Sequence, residues 1–239
     1  MKPNKFLIAE KTFFILLTFF SLSACAFVTP ISKAIPREHL SSIANKISGS
    51  TQIILAINDS DNANTAKIYA LQKLDNKWNL FFDPVDAMIG KNGFAKLGEK
   101  REGDGKTPSG IFSLRTAFGY DKAIKTRITY RQALTDDIWI DDVNAVDYNR
   151  WVKKKETAAL SYEKMRRDDD LYKYGVVIEY NTSPVVKGYG SAIFLHVWGG
   201  RDVATAGCIA ISEENILHIL EWLNPDAKPM IIMGTKNTI

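Results

Sequence analysis

Residues 193–211 read IFLHVW-GGRDVATAG-CIAI: an apolar run, a polar loop rich in small residues, and a second apolar run. Alternation predicts that the first run is a strand with Ile193, Leu195 and Val197 on one face and His196 on the other. Cys208 opens the second run, which predicts a second strand. We expect the two strands to be antiparallel neighbours. The stretch therefore predicts an imidazole and a thiol within hydrogen-bonding reach of each other.

Further short apolar runs, separated by turn residues, lie on both sides of this stretch. The runs that predict strands are Ile53–Ile57, Lys67–Leu74, Trp78–Phe82, Ile111–Leu114, Val176–Tyr180, Ile193–Trp198, Cys208–Ile211 and Met230–Met233. Helices are predicted after Pro36, over Lys155–Arg167, and from Ser212 as N-cap to about Leu223. Because strands dominate and no linker follows residue 50, we predict one β-rich α+β domain over residues 50–235, with mixed or antiparallel sheets and a few short helices.

The composition excludes several classes of protein. Of 239 residues, 46% are hydrophobic and 24% are charged, which rules out a wholly disordered, collagen-like or multi-span membrane chain. A net charge of +4 is too small to indicate nucleic-acid binding. Two cysteines exclude a disulfide-rich scaffold, and three histidines leave little material for a His-rich metal site. The sequence indicates no metal and no organic cofactor, and it gives no oligomeric state.

The N-terminal segment has the pattern of an export signal. Lys2, Lys5 and Lys11 precede an apolar run over residues 12–22. This run is shorter than the ~20 residues that a spanning helix needs. Leu22-Ser23-Ala24-Cys25 follows and resembles the bacterial lipobox, in which the cysteine is lipidated and becomes the new N-terminus. We predict a signal peptide over 1–24, a lipid anchor on Cys25, and a tether with a short helix over 25–49.

Two other interpretations of this segment stay open. Ala24-Cys25-Ala26 also fits ordinary signal cleavage, and a buried N-terminal helix is the third possibility. With a lipid anchor, Ala26 after the cysteine favours the outer membrane facing the periplasm. A lipidated Cys25 also leaves Cys208 without a disulfide partner in an oxidising compartment.

The histidine and the cysteine suit nucleophilic catalysis. A free thiol with a pKa of about 8.5 is only a few per cent thiolate at pH 7. We expect a neighbouring imidazolium, from His196, to lower the pKa of Cys208 and to protonate a leaving amine. Gly207 allows close backbone packing, and the N–H groups of Gly207 and Cys208 could bind an oxyanion. The alternative is a small buried cysteine beside a structural histidine.

Residues 100–110, KREGDGKTPSG, form a second conspicuous segment. A phosphate-binding loop is excluded because Lys100 stands where the first glycine belongs and Pro108 interrupts the next helix. A calcium loop is excluded because acidic residues do not alternate. We expect a rigid loop before Ile111–Leu114, and a role in shaping the site is equally open. The acidic pairs Asp136-Asp137 and Asp141-Asp142 predict an exposed rim, with general acid–base catalysis as the alternative. Residues 166–170 predict a solvated charged turn.

Four segments together resemble the L,D-transpeptidase (YkuD-like) catalytic domain of bacterial cell-wall enzymes. They are residues 89–94 (IGKNGF), 102–110 (EGDGKTPSG), 188–196 (GYGSAIFLH) and 205–208 (TAGC). The resemblance covers about residues 50–235 and implies a β-rich fold that acts on peptidoglycan stem peptides without a cofactor. It implies that Cys208 attacks the carbonyl of the third stem residue, usually diaminopimelate, expels D-Ala and forms a thioester. His196 is then the base, oriented by the carbonyl of Val197, and an amine or water accepts the acyl group.

One departure from the family pattern concerns the acceptor. The commoner motif is Ser/Thr-His-Gly-Cys, and Ala206 stands here in place of the second histidine. The resemblance leaves three functions open: a transpeptidase, a hydrolase that trims stems or releases wall-linked protein, and a non-catalytic peptidoglycan-binding lipoprotein. Arg201, either a partner for a stem carboxylate or a solvated loop charge, is a candidate substrate-binding residue together with Tyr189 and Trp198.

Overall fold

The computed structural model describes residues 37–60 and 62–239. The predicted signal peptide and the lipidation site Cys25 lie outside these residues. Helix α1 spans Arg37–Ala44 and buries Leu40, Ile43 and Ala44, so the helix predicted after Pro36 is confirmed. Within the described part of the chain, no helix is both long enough and apolar enough to cross a membrane.

Thirteen strands and a second α-helix make up most of the rest of the described chain. The strands are β1 (Gln52–Asn58), β2 (Thr65–Leu74), β3 (Lys77–Leu80), β4 (Val85–Met88), β5 (Gly110–Gly119), β6 (Thr129–Gln132), β7 (Asp137–Ile140), β8 (Trp151–Lys153), β9 (Tyr162–Lys164), β10 (Tyr174–Ile178), β11 (Phe194–Val197), β12 (Ile209–Ile211) and β13 (Met230–Thr235). Helix α2 spans Glu213–Trp222, and short 3-10 turns span Lys154–Glu156 and Pro225–Ala227. All eight predicted strands overlap an observed one, and the β-rich α+β class is confirmed.

The large sheet closes on itself. Its order is β1-β13-β5-β10-β11-β12-β4-β2-β3, and β1 pairs with β2 as well as with β13. Branched aliphatic side chains from the surrounding strands fill the interior, among them Ile54, Ile68, Leu195, Ile209 and Ile231. Burying each such side chain contributes about 1.5–3 kcal/mol. This closed, packed sheet is the rigid support for β11 and β12.

Helix α2 adds a further layer to the same core. The side-chain oxygen of Ser212 accepts a hydrogen bond from Asn215 N at 3.3 Å, so the predicted N-cap is confirmed. Ile216, Ile219 and Leu220 are buried in the main core. The helix follows β12 directly, so it fixes the strand that Cys208 precedes.

The helix predicted over Lys155–Arg167 is wrong. The segment forms a 3-10 turn and then β9, which pairs with β7 in a second sheet of order β8-β7-β9. Every residue of β7 is buried, so a partner strand satisfies its backbone groups. Leu160, the bulkiest apolar side chain of the supposed helix, is 92% exposed. Met165, in contrast, is fully buried beside the end of β9, and pairing with β7 prevails over helix propensity.

The antiparallel arrangement predicted for β11 and β12 is also wrong. The two strands are parallel, with Leu195 opposite Ile209 and His196 opposite Ala210. The link of residues 198–208 between them is about as long as a parallel connection requires. The link passes close to the end of β4, where Thr205 forms a β-bridge with Gly90. It thereby returns the chain to the end of the sheet at which β11 begins. Cys208 consequently lies beside the start of β11.

Candidate active site

Cys208 lies immediately before β12, at the level of Phe194 in the neighbouring strand. Its Sγ accepts a hydrogen bond from Phe194 N at 3.4 Å and donates one to the Ala192 carbonyl oxygen at 3.2 Å. The side chain is 7% exposed and packs in an aromatic cluster with Trp139, Tyr172 and Phe194. The parallel register thus holds the thiol at a fixed point next to the backbone of β11.

His196 occupies the centre of β11, between Gly175 of β10 and Ala210 of β12. Its Nδ1 lies 2.7 Å from the carbonyl oxygen of Val197. A carbonyl can only accept, so Nδ1 carries the proton, and the neutral ring keeps Nε2 as an acceptor. The ring packs edge-on against Tyr172, with 5.1 Å between ring centroids. The imidazole is therefore buried, oriented and basic at Nε2.

Burial makes both groups neutral in the resting protein. Loss of solvent raises the pKa of Cys208 to about 12, although the Phe194 N–H opposes the shift. Loss of solvent also lowers the pKa of His196 to about 4. The carbonyls of Val197 and Leu171 oppose this shift, because they favour the charged ring. The direction for Cys208 is opposite to the one expected from an imidazolium neighbour, because a buried imidazole is itself uncharged at neutral pH.

Both side chains line a cavity of about 380 Å³. The cavity lining includes charged side chains of both signs. Its charged lining residues are Lys91, Lys100, Glu102, Asp141, Glu163 and Arg167. Within the described ranges, 37–60 and 62–239, no group of three or more His, Cys, Asp or Glu side chains is arranged to hold a metal ion.

Two threonine hydroxyls hold the backbone at the nucleophile. Thr205 Oγ1 and Thr107 Oγ1 donate to the Cys208 carbonyl oxygen at 2.7 Å and 3.3 Å. Thr205 Oγ1 also accepts from Gly207 N at 3.1 Å, and Thr107 Oγ1 accepts from Gly90 N at 2.8 Å. The segment 100–110 therefore does two things: it precedes β5 and it fixes the loop that carries Cys208.

The backbone at Gly207 is tightly enclosed. An added Cβ would lie 3.0 Å from the Lys106 carbonyl oxygen and 3.3 Å from Ile193 Cδ1. The Gly207 N–H is already bonded to Thr205. Among the residues that the structure describes, the Cys208 N–H has no acceptor, so it is the better placed of the two to bind an oxyanion.

Lys100 is a buried cation near the same backbone. Its Nζ lies 2.6 Å from Asp104 Oδ1, and its side chain is 5% exposed. Burial alone would raise the pKa of Asp104, but hydrogen bonds from Lys100 and from the backbone N–H groups of Arg101 and Lys106 hold it below its usual value. The charge of Lys100 in turn favours the thiolate form of Cys208.

The protein-family model of the L,D-transpeptidase (YkuD) catalytic domain matches residues 57–232. The chain belongs to the L,D-transpeptidase family. No curated protein sequence matches it. Among solved structures, the chain matches the helical cell shape determining protein Pgp2 from Campylobacter jejuni with 16% identity and a TM-score of 0.43. The match covers 84% of this chain and 56% of Pgp2, so the chain spans little more than half the length of that relative.

The predicted site residues of this L,D-transpeptidase domain fall into two groups. Cys208, His196 and Gly207 line the cavity, and the Val197 carbonyl meets the histidine ring. The candidate substrate-binding side chains lie outside the cavity lining. Arg201 is 76% exposed and approaches Asp86 at 3.6 Å. Tyr189 stacks on Arg101, and Trp198 lies 5.9 Å from Arg201.

Several residues that line the cavity were not predicted from the sequence. Arg167 lines the cavity, although a solvated turn was the favoured interpretation of its segment. Its guanidinium binds Glu163 at 3.0 Å and Asp169 at 2.6 Å. The incorrect helix concealed this arrangement, because β9 and not a helix brings Glu163 to the cavity. No sequence pattern marks Tyr172 as a site residue, and it is notable only for preceding an apolar run.

Proposed function

We propose that the protein is a peptidoglycan L,D-transpeptidase with Cys208 as nucleophile and His196 as base. The observation that carries the proposal is that a thiol and an imidazole oriented by the Val197 carbonyl line one cavity in a chain of this family. The substrate is the stem peptide of peptidoglycan, and no cofactor takes part. The mixed charges of the cavity suit a peptide with free amines and carboxylates.

In the first half-reaction, Sγ attacks the carbonyl carbon of the third stem residue while Nε2 of His196 takes the thiol proton. The S–H turns away from the Ala192 carbonyl as this happens. The carbonyl oxygen becomes an oxyanion and accepts a hydrogen bond from the Cys208 N–H. The C–N bond to D-Ala then breaks, the imidazolium protonates the departing amine, and a thioester remains.

In the second half-reaction, an amine from another stem attacks the thioester. A new C–N bond forms, the C–S bond breaks, and the amine proton passes through His196 to the sulfur. The carbonyls of Val197 and Leu171 stabilise the transient imidazolium. Neutral resting groups suit this sequence of steps because charge develops only while substrate is bound.

Hydrolysis is the second candidate function. Ala206 lines the cavity at the position where the commoner family motif has a histidine. A methyl group cannot bind or orient an amine acceptor, and it leaves room for water beside the thioester. The chemistry up to the thioester is the same, and the product is then a trimmed stem or a protein released from the wall.

We further propose export and a lipid anchor on Cys25. The lipobox-like Leu22-Ser23-Ala24-Cys25 behind an apolar run supports this. The catalytic domain then faces the periplasm from the outer membrane. Arg201, Tyr189 and Trp198 remain candidates for contacts with the stem outside the cavity.

The test is mass spectrometry of tetrapeptide muropeptides after incubation with the purified protein. Joined stems with loss of D-Ala support transpeptidation, and D-Ala release with addition of water supports hydrolysis. Cys208→Ala abolishes both reactions if the proposal is right. Activity that persists in Cys208→Ala overturns the mechanism, and saturable sacculus binding with no reaction by the wild type indicates a binding lipoprotein instead.

A further inference from the structure

We propose that Tyr172 is a further catalytic residue, whose hydroxyl donates a hydrogen bond to the sulfur of Cys208 while that sulfur is a thiolate. The inference deepens the proposed function, because it concerns the nucleophile of that same site. No motif in the sequence marks Tyr172, and the two half-reactions above do not use it.

The position of Tyr172 supports a role beyond packing. The side chain lines the cavity together with Cys208 and His196, although it is only 5% exposed. Its ring packs edge-on against His196 at 5.1 Å and against Phe194 at 5.5 Å. The ring is therefore held between the candidate base and the residue whose N–H bonds the sulfur.

The side chains of Tyr172 and Cys208 pack in the same buried cluster, where each affects the ionisation of the other. Tyr172 favours the thiolate form of Cys208, and a thiolate at Cys208 in turn disfavours ionisation of Tyr172. Burial raises the pKa of Tyr172 well above its ordinary value, so the hydroxyl keeps its proton and remains a donor. A buried thiolate needs such donors, because it has lost those of water.

Charged groups around Tyr172 complete the arrangement. The Arg167 guanidinium carbon lies 5.0 Å from the centre of the Tyr172 ring, and Glu163 and Asp169 neutralise much of its charge. Lys100 favours the thiolate from another direction, and Glu163 opposes it. With the Phe194 N–H, the Tyr172 hydroxyl gives the sulfur two donors from opposite elements, the strand β11 and the segment before β10.

A tyrosine needed only for packing would behave differently. Phenylalanine keeps the ring and all three edge-on contacts with Phe118, Phe194 and His196. Tyr172→Phe therefore separates the hydroxyl from the packing. If the hydroxyl stabilises the thiolate, its loss lowers the thiolate population about tenfold, which is the scale of a hydrogen bond to a charged group.

The experiment measures alkylation of Cys208 by iodoacetamide from pH 7 to 10, located by peptide mass, in the full-length protein. Tyr172→Phe reacts about threefold more slowly than wild type, because the smaller thiolate population is partly offset by the higher nucleophilicity of a more basic thiol. Replacing Tyr172 with 3-fluorotyrosine, whose phenol is more acidic and a stronger donor, accelerates alkylation. Tyr130→Phe is the matched control: its hydroxyl donates to the Asp121 carbonyl outside the cavity, and its loss leaves the rate unchanged.

The same variants are then assayed on tetrapeptide muropeptides, where Tyr172→Phe lowers kcat about tenfold and leaves KM within about twofold. Alkylation rates equal to wild type in both Tyr172 variants overturn the inference. If Tyr172→Phe fails to fold, the 3-fluorotyrosine variant decides alone, because it keeps the ring and the hydroxyl. Alkylation needs no peptidoglycan, so changed alkylation without muropeptide turnover overturns the proposed function and leaves only the hydrogen bond from Tyr172 to the thiolate standing.

Discussion

Burial sets the protonation states of single residues at this site. Cys208 and His196 are chemically the pair that the sequence indicates, yet neither is charged at rest, because β10, β11 and β12 exclude water from both. A sequence displays residue types and spacing but not solvation. The nucleophile and base could therefore be predicted from residues 193–211, whereas the sign of the shift at Cys208 could not.

The buried neutral histidine makes stability depend on pH. Its pKa of about 4 lies below the unfolded value of about 6.5, so the unfolded chain binds the proton more readily between these values. The free energy of unfolding therefore rises with pH across this window. The stabilisation that comes from neutral His196 is lost as the pH falls through the same window. His196 contributes about 3 kcal/mol to that change.

Urea unfolding at pH 4.5 and 7 tests this contribution. His196→Gln removes most of the difference between the two pH values, whereas His218→Gln, on the exposed side of α2, leaves it unchanged. An equal pH dependence in wild type and His196→Gln would show that the histidine is hydrated in solution.

The acidic pair Asp136-Asp137, at the start of β7, shows how two adjacent residues of one type can have different surroundings. Both aspartates were expected on an exposed rim, and Asp137 is in fact 1% exposed. Its carboxylate accepts from Arg131 and Trp151 Nε1 at 2.9 Å each and from Leu134 N at 2.8 Å. Burial alone would raise its pKa, but these bonds and Lys153 hold it below the usual value. The four donors come from two segments, residues 131–134 and β8, and the contribution of β8 cannot be read from the local sequence.

Asp137→Asn is expected to destabilise the protein by about 2–3 kcal/mol at pH 7, because an amide cannot accept from all four donors. Asp136→Asn is the matched control, because the Asp136 carboxylate is half exposed. Its loss lowers the free energy of unfolding by less than about 1 kcal/mol. Because the pKa of Asp137 is lowered, its contribution holds above the usual Asp value and disappears as the pH falls below it. Chemical unfolding of both variants at pH 7 and pH 3 measures this, and equal losses for the two would refute it.

At the scale of elements, strands were easier to predict than their pairing. Short apolar runs identify β1, β2, β5, β10, β11 and β13, because their side chains must meet the core. Short strands such as β7 and β9 give no such pattern within three or four residues. The parallel direction of β11 and β12 depends on the path of the loop between them, and that path is set by Gly90, Thr107 and Thr205 from distant parts of the chain.

The loop that carries Cys208 depends on the Thr205 hydroxyl. Thr205→Val keeps the shape of the side chain but removes the donor to the Cys208 carbonyl and the acceptor for the Gly207 N–H. We expect a loss of about 1–3 kcal/mol in stability and a fall of about tenfold in kcat, because the nucleophile is less well held. Thr205→Ser restores both. If Thr205→Val turns over muropeptides at the wild-type rate, the hydroxyl does not position Cys208.

At the scale of the whole molecule, the described chain from residue 37 onward contains one cysteine, Cys208, and the other stands in the lipobox-like segment. The two thiols differ in their surroundings. Cys208 is buried in the aromatic cluster with Trp139, Tyr172 and Phe194, and Cys25 follows an apolar leader within a run of small residues. Attachment and catalysis are therefore expected to be separable, each lost by changing one sulfur.

Expression of the full-length chain in a bacterial host with a lipoprotein pathway tests this separation. Cys25→Ser moves the protein out of the membrane fraction, because lipidation supplies the acyl chains that make attachment stable, and muropeptide turnover in the extract persists. Cys208→Ala remains in the membrane fraction and loses turnover by at least about a hundredfold, the scale expected for loss of a nucleophile. The intact mass of each purified protein reports whether acyl chains are present. A wild-type protein that keeps its leader and carries no acyl chain contradicts the lipid anchor and favours a retained N-terminal helix. A soluble, unlipidated wild type that begins after Ala26 favours ordinary signal cleavage.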